Sequence, residues 1–131
     1  MHYRQVNWPY ELECIRKGIT GEDGFSTDIS RHYMDDRLDL RGYDRTDIAC
    51  AILTGTIVEG YSSEANRMRC SRSSGLVTPS RCILGRSLQG EWFIVVIGLV
   101  STRNFRVITC MLTSFRHQQL ITPLENALGV H

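Results

Sequence analysis

At 131 residues with a formal net charge of +1, the chain is sized for one domain, which would bury roughly two thirds of its unfolded surface without covalent staples. Its five cysteines are odd in number and none lies in a C-x-x-C pair, which argues against a disulfide framework and for thiols used as small core residues in a reducing compartment. The longest apolar run, Trp92 to Val100, is too short to span a bilayer, and no N-terminal apolar run with a cleavage site is present. A cytoplasmic chain with no membrane partner is therefore expected.

The near-neutral balance hides an asymmetry. Residues 1–64 hold seven Lys and Arg against twelve Asp and Glu, net −5, whereas residues 65–131 hold eight Arg against two Glu, net +6. Every cation except Lys17 is Arg, and guanidinium forks match phosphate oxygens bidentately. Either the two halves attract each other within an Arg-rich composition, or the basic half faces phosphates.

In chain order, Asn7 caps a short helix with Pro9 in its first turn, Gly18 at its exit, and Tyr10, Cys14 and Ile15 on its buried side. Thr20 to Asp28 is rich in Gly, Asp, Glu and Ser and reads as a loop, so residues 1–28 form an N-terminal extension. Ser30 caps a helix over Arg31 to Arg41, stopped by Gly42; its spacing sets His32 above Asp36 and aligns Tyr33, Arg37 and Arg41 in a second stripe. Asp44 or Thr46 caps another helix, apolar at Ile48, Ala49, Ala51, Ile52 and Leu53 and ended by Gly55. Thr56 to Gly60 is a strand.

Residues 62–79 are Ser-rich, poor in apolar side chains, and carry Arg67, Arg69 and Arg72. Such a basic loop is either a solvated surface or an arm that orders on nucleic acid, though no aromatic residue is interleaved for base stacking. Ser80 to Arg86 is a strand with Cys82, Leu84 and Arg86 on one face. After a Gln89-Gly90 turn, Glu91 to Val100 is apolar on both faces and hence central, and Phe105 to Leu112 is the last strand. The expectation is an α+β core over residues 29–112, with two N-terminal helices on one face of a roughly four-stranded antiparallel sheet. A tail over residues 113–131 holds a short helix from Pro123 to Leu128.

In sequence order, Ser30, His32, Arg37, Arg41, Gly42, Asp47, the G-x-I-x-E-x-Y of Gly55, Ile57, Glu59 and Tyr61, the C-I-L-G-R of Cys82 to Arg86, Val95, Val96, and Val107 to Thr109 form a collinear set. It resembles the small bacterial family known as domain of unknown function 4258, over about Ile29 to Met111. That family is similar to the RelE, barnase and nuclease-colicin (BECR) group. The resemblance implies two helices on a four-stranded antiparallel sheet, RNA cleavage without a metal, a role as a bacterial toxin, and an antitoxin or immunity protein as partner. Trp92 and Phe93 stand where the family commonly has a histidine, and Met111 where it often has a tyrosine.

Metal-independent RNA cleavage needs a base for the 2′-hydroxyl proton, cations for the phosphorane and an acid for the leaving 5′-oxygen. His32, Arg37, Arg41 and Arg86 are of these types. His32 lies in a first helical turn, where the macrodipole favours a neutral base, and Asp36 one turn on either holds the ring or favours its protonated form. Arg37 and Arg41 either reach a phosphate or pair with Asp36, Asp39 or Asp44. Arg86 follows Cys82 and Leu84 on an apolar face, where a charge wants a partner or a ligand. Tyr61 offers a phenol or covers the sheet edge, and Thr109 sits mid-strand, as β-branched residues do. Arg67, Arg69, Arg72, Arg81 and Arg106 are the candidate RNA contacts, and His117, beyond the matched stretch, is assigned no role.

The histidines and cysteines lack ligand spacing, and Gly-rich phosphate loops are missing, so no metal or cofactor is expected. Two other readings stand beside the nuclease. One is a non-catalytic phage or mobile-element module whose Arg-rich surface engages nucleic acid or an acidic protein. The other is a homodimer formed through an exposed strand edge.

Overall fold

The segment Trp92–Leu99 is apolar at every position except Gly98. In the computed structural model, which describes residues 7–29, 43–62 and 78–128, it is the middle strand of a five-stranded sheet. The described elements are α1 (Trp8–Thr20), β1 (Ser26–Asp28), α2 (Arg45–Thr54), β2 (Thr56–Tyr61), β3 (Ser80–Arg86), β4 (Trp92–Leu99), β5 (Asn104–Met111) and α3 (Phe115–Leu128). The sheet order is β1-β5-β4-β3-β2. Strands β2 to β5 pair antiparallel as expected, and β1 adds a parallel strand beside β5.

Alternation along β4 divides the core in two. Phe93, Val95 and Ile97 meet Ile57, Ile83 and Val107 on a first face, roofed by Leu12, Cys14 and Ile15 of α1 and by Ile48, Ala51 and Ile52 of α2. On the second face Cys82, Leu84 and Ile94 lie under Ile121, with Leu124, Val58, Tyr61, Trp92, Val96 and Met111 around them. The molecule is thus a mixed α+β fold with helices on both faces of the sheet, where the sequence suggested a roof on one.

Helix α2 follows the sequence closely. Asp44 accepts from the Asp47 amide and Asp47 accepts from the Asp44 amide, a reciprocal capping box, and Gly55 ends the helix. Just upstream, Tyr43 stacks on Phe93 with ring centroids 4.0 Å apart. The helix docks on β3 by backbone approach: a Cβ at Gly85 would lie 2.2 Å from the Ala51 carbonyl oxygen.

Other expectations change. Helix α1 passes through Gly18 and stops at Gly21, which takes a left-handed φ of 76°. Gly18 is needed for contact instead, because a Cβ there would lie 2.1 Å from Thr27 Oγ1. That hydroxyl donates to the Ile15 carbonyl at 2.8 Å, tying α1 to β1. Ser26–Asp28 is therefore a strand rather than loop, and Tyr10, expected inside, is 72% exposed. Helix α3 begins eight residues before Pro123, which lies within it; burial of Ile121 outweighs the local signal that placed the proline at a start. The helix expected over Arg31 to Arg41 lies outside the described residues.

The close approach at Gly85 predicts an asymmetry between two turn-adjacent glycines. Gly85→Ala should cost roughly 3 kcal/mol, because a backbone carbonyl blocks the new methyl. Gly90→Ala, with nothing within 4 Å but a φ of +90°, should cost about 1–2 kcal/mol through backbone strain alone. Urea unfolding midpoints of the two variants measure the difference.

Candidate functional site

Strand pairing brings polar side chains together on the second face. Glu59 stands opposite Cys82 and Tyr61 opposite Ser80, after a register shift between Ile57 and Glu59. The Tyr61 hydroxyl donates to Glu59 Oε2 at 3.1 Å, and Arg116 of α3 forms an ion pair with the same oxygen. Glu59 Oε1 lies 3.3 Å from His117 Nε2.

His117 is fixed by the start of its helix. The Ser114 amide donates to His117 Nδ1 at 3.0 Å, and Ser114 Oγ is also 3.0 Å from that nitrogen. This is the spacing of a capping box with imidazole in place of the usual carboxylate. Because Nδ1 accepts from a backbone amide, the ring proton belongs on Nε2, where it donates to Glu59. The ring is only 3% exposed. Burial raises the Glu59 pKa, but hydrogen bonds from His117 and Tyr61 and the charge of Arg116 more than offset it, so the carboxyl sits below its ordinary value.

The other end of this face belongs to Arg86, four residues or roughly 13 Å along β3 from Cys82. Its guanidinium carbon lies 5.5 Å from the centre of the Trp92 ring, a cation-π contact. Its Nε is buried and has no hydrogen-bond partner, and among the described residues no carboxylate pairs with it. The Trp92 indole N–H donates to Glu125 of α3 at 3.0 Å. Helix α3 is thus pinned near both ends, to Glu59 and to Trp92.

The remaining sequence candidates scatter. Thr109 is half-buried and shares a cross-strand row with Val96, Cys82 and Glu59, three strands or roughly 14 Å from the carboxylate. Arg106 is half-buried on β5 with Asp28 as its register partner on β1. Arg81 is a correction to the expected RNA contacts. It faces α1, is fully buried, and binds Glu11 through Nε at 2.6 Å and Nη2 at 3.0 Å, because strand alternation puts it opposite in facing to Cys82. His32, Arg37, Arg41, Arg67, Arg69 and Arg72 lie outside the described residues. The sequence assigns no role to Glu59 or His117; the Ser-x-x-His spacing of Ser114 and His117 ahead of an apolar helix is the signal that marks the latter.

Among the described residues no cluster of three His, Cys, Asp or Glu is placed to hold a metal, and no helix is long and apolar enough to cross a membrane. Among the described residues Cys14, Cys50, Cys82 and Cys110 form no disulfide, and all but Cys50 are buried.

A family model described as Domain of unknown function (DUF4258) matches residues 29–111. The chain belongs to this family. No curated protein and no solved structure matches it. Of the described elements, the DUF4258 region supplies α2 and β2 to β5, whereas α1, β1 and α3 lie outside the match. Each of the long polar ties just described joins the DUF4258 region to one of these added helices: Arg81 to Glu11, Glu59 to Arg116 and His117, Trp92 to Glu125.

The depressed Glu59 pKa sets a sign for pH dependence. Its contribution to stability is complete above the ordinary value of 4.5 and is lost as pH falls through the lower folded value. Glu59→Gln should therefore be less stable than the parent at neutral pH, with the gap closing below pH 4.5. Urea unfolding across that range checks it; a gap that does not change with pH would show that the carboxylate charge contributes nothing.

Proposed function

We propose that this DUF4258 protein is a small, toxin-like endoribonuclease of the RelE/barnase type that cleaves RNA without a metal in the cytoplasm, restrained by an antitoxin or immunity protein. The observation that carries the reading is the convergence of an ionised carboxylate, a phenol, an imidazole and a guanidinium at one end of a sheet face, Glu59, Tyr61, His117 and Arg116, with Arg86 at the other end of that face. In this reading Glu59 takes the 2′-hydroxyl proton and the 2′-oxygen attacks phosphorus. The 5′-oxygen leaves with the Tyr61 proton, and the phenol recovers one from the Glu59 carboxyl across their existing hydrogen bond. Arg116, 64% exposed, would stabilise the phosphorane, and Arg86, which pairs with no carboxylate among the described residues, would hold a neighbouring phosphate of the same strand. His117 is a positioning residue that holds Glu59. His32, Arg37, Arg41 and the basic stretch with Arg67, Arg69 and Arg72 remain candidates for further phosphate contacts.

A second reading is supported by the seat of α3. Ile121 and Leu124 pack on the same face, and the Glu59 side chain is only 17% exposed. A covered carboxylate suits a non-catalytic module that engages RNA or an acidic protein through its arginines.

Incubation of the purified chain with mixed RNA and a chelator decides between them. Cleavage should give fragments ending in 2′,3′-cyclic phosphate, with the rate falling about 10²- to 10⁴-fold in Glu59→Gln and Tyr61→Phe and in Arg86→Ala. Intact RNA whose binding weakens steeply with salt would favour the module, and intact, unbound RNA would remove the nuclease and leave the module only as a binder of an acidic protein.

A further inference from the structure

We propose that the outer edge of β2 is a docking site for an acidic peptide, which binds by adding a strand to the sheet. This site is separate from the carboxylate cluster and does not depend on whether RNA is cut. Strand β2 ends the sheet: one edge pairs with β3, and among the described residues no strand pairs with the other. Val58 has no register partner on β3, at the shift between Ile57 and Glu59. An edge strand presents a row of N–H and C=O groups that can template another chain.

What marks this edge as a site is the groove along it. A cavity of about 620 Å³ is lined by Trp8, Pro9, Leu12 and Arg16 of α1, by Val58, and by Leu120 of α3. The two helices form its walls on opposite faces of the sheet and the strand edge forms its floor. An added strand points successive side chains to opposite faces, so alternate residues would meet Trp8 and Leu12 on one side and Val58 and Leu120 on the other. Leu120 is 42% exposed. The Trp8 indole lies against Gly60, where a Cβ would be 3.1 Å from Nε1, and that N–H is buried without an acceptor. A turn of the ring toward the groove would bring it to a peptide carbonyl.

Charge specifies the occupant. Arg16 donates to the carbonyls of Ile52 and Gly55, at 2.9 Å each, and among the described residues no carboxylate neutralises it. Among the described residues no acidic side chain lines the groove. A two-fold pairing of two copies through this edge would set the Thr56 end of one strand against the Tyr61 end of the other. There Glu59 is already held by Arg116, His117 and Tyr61, so a second copy would leave Arg16 without a carboxylate. A strand with apolar residues at alternate positions and a carboxylate beside the Thr56 end of β2 supplies what is missing.

The test selects peptides from a displayed random library on the whole protein, then measures synthetic copies of the enriched sequences. In a Trp92→Phe background Trp8 is the only fluorophore of its kind, and its emission should shift on binding while amide exchange slows along Thr56–Tyr61. Replacing the peptide carboxylate by Lys, or N-methylating alternate peptide amides, should each weaken binding at least about tenfold, as should Leu120→Glu on the protein. Leu120 is partly exposed, so that variant keeps its fold, and Arg16→Gln provides an independent second loss. Absence of any acidic, strand-patterned enrichment, indifference to N-methylation, or unchanged affinity in Leu120→Glu would overturn the proposal. Concentration-dependent self-association that protects β2 without peptide would overturn it in favour of a second copy.

Discussion

A central strand that is apolar on both sides can leave neither side to water. Phe93, Val95 and Ile97 require a cover on one face, and Trp92, Ile94 and Val96 require one on the other. The DUF4258 region supplies the sheet, and among the described elements α2 is its only helix. The second cover, and most of the first beyond α2, come from α1 and α3, outside the matched stretch. The placement of the long polar ties follows from that division, since Arg81 with Glu11, Glu59 with Arg116 and His117, and Trp92 with Glu125 each lie where an added helix meets the sheet.

The cross-ties differ in what they contribute. Arg81 and Glu11 make a bidentate pair with the guanidinium fully buried. Such a pair gains little over well-packed apolar residues, yet breaking it from one side leaves an uncompensated charge and costs about 3–5 kcal/mol. Its effect is to fix where α1 lies on β3. Arg16 acts differently, since it holds two carbonyls at the end of α2 and thereby joins the two helices of the first face. Glu59 gathers three partners, Tyr61 from its own strand and Arg116 and His117 from the first turn of α3, and its lowered pKa records that they favour the ionised form despite burial.

What the sequence revealed, and what it hid, separates along local and distant interactions. The Asp44 cap, the Gly55 stop, the apolar alternation of β3 and the two-sided apolarity of β4 are set by neighbours in the chain, and each appears where the residues place it. The two-sided apolarity of β4 already implied a second roof, a consequence the one-roof expectation left undrawn. Strand β1 was hidden because three residues in a Gly- and Asp-rich stretch carry no periodicity; only pairing with β5 makes them a strand. Arg81 resembled a surface arginine because its carboxylate lies seventy residues away. His117 gained its meaning from Glu59, fifty-eight residues earlier, and Tyr10 was placed inside because one apolar face was drawn a residue position too wide.

The second face also sets a condition on any chemistry there. Glu59 and Trp92 are the anchors for the two ends of α3, so the groups best suited to act on a phosphate are those that hold the cover down. An RNA strand approaching Glu59 would compete with that carboxylate for Arg116, and one reaching Arg86 would do so beside the indole that Glu125 engages. Among the described residues Arg86 has no carboxylate to exchange, so phosphate capture at that end would break no ion pair seen there. Capture at the Glu59 end does. On the proposed nuclease reading, binding would start most cheaply over β3 and β4 at Arg86, and access to the carboxylate would follow only as the first turn of α3 gave up its hold.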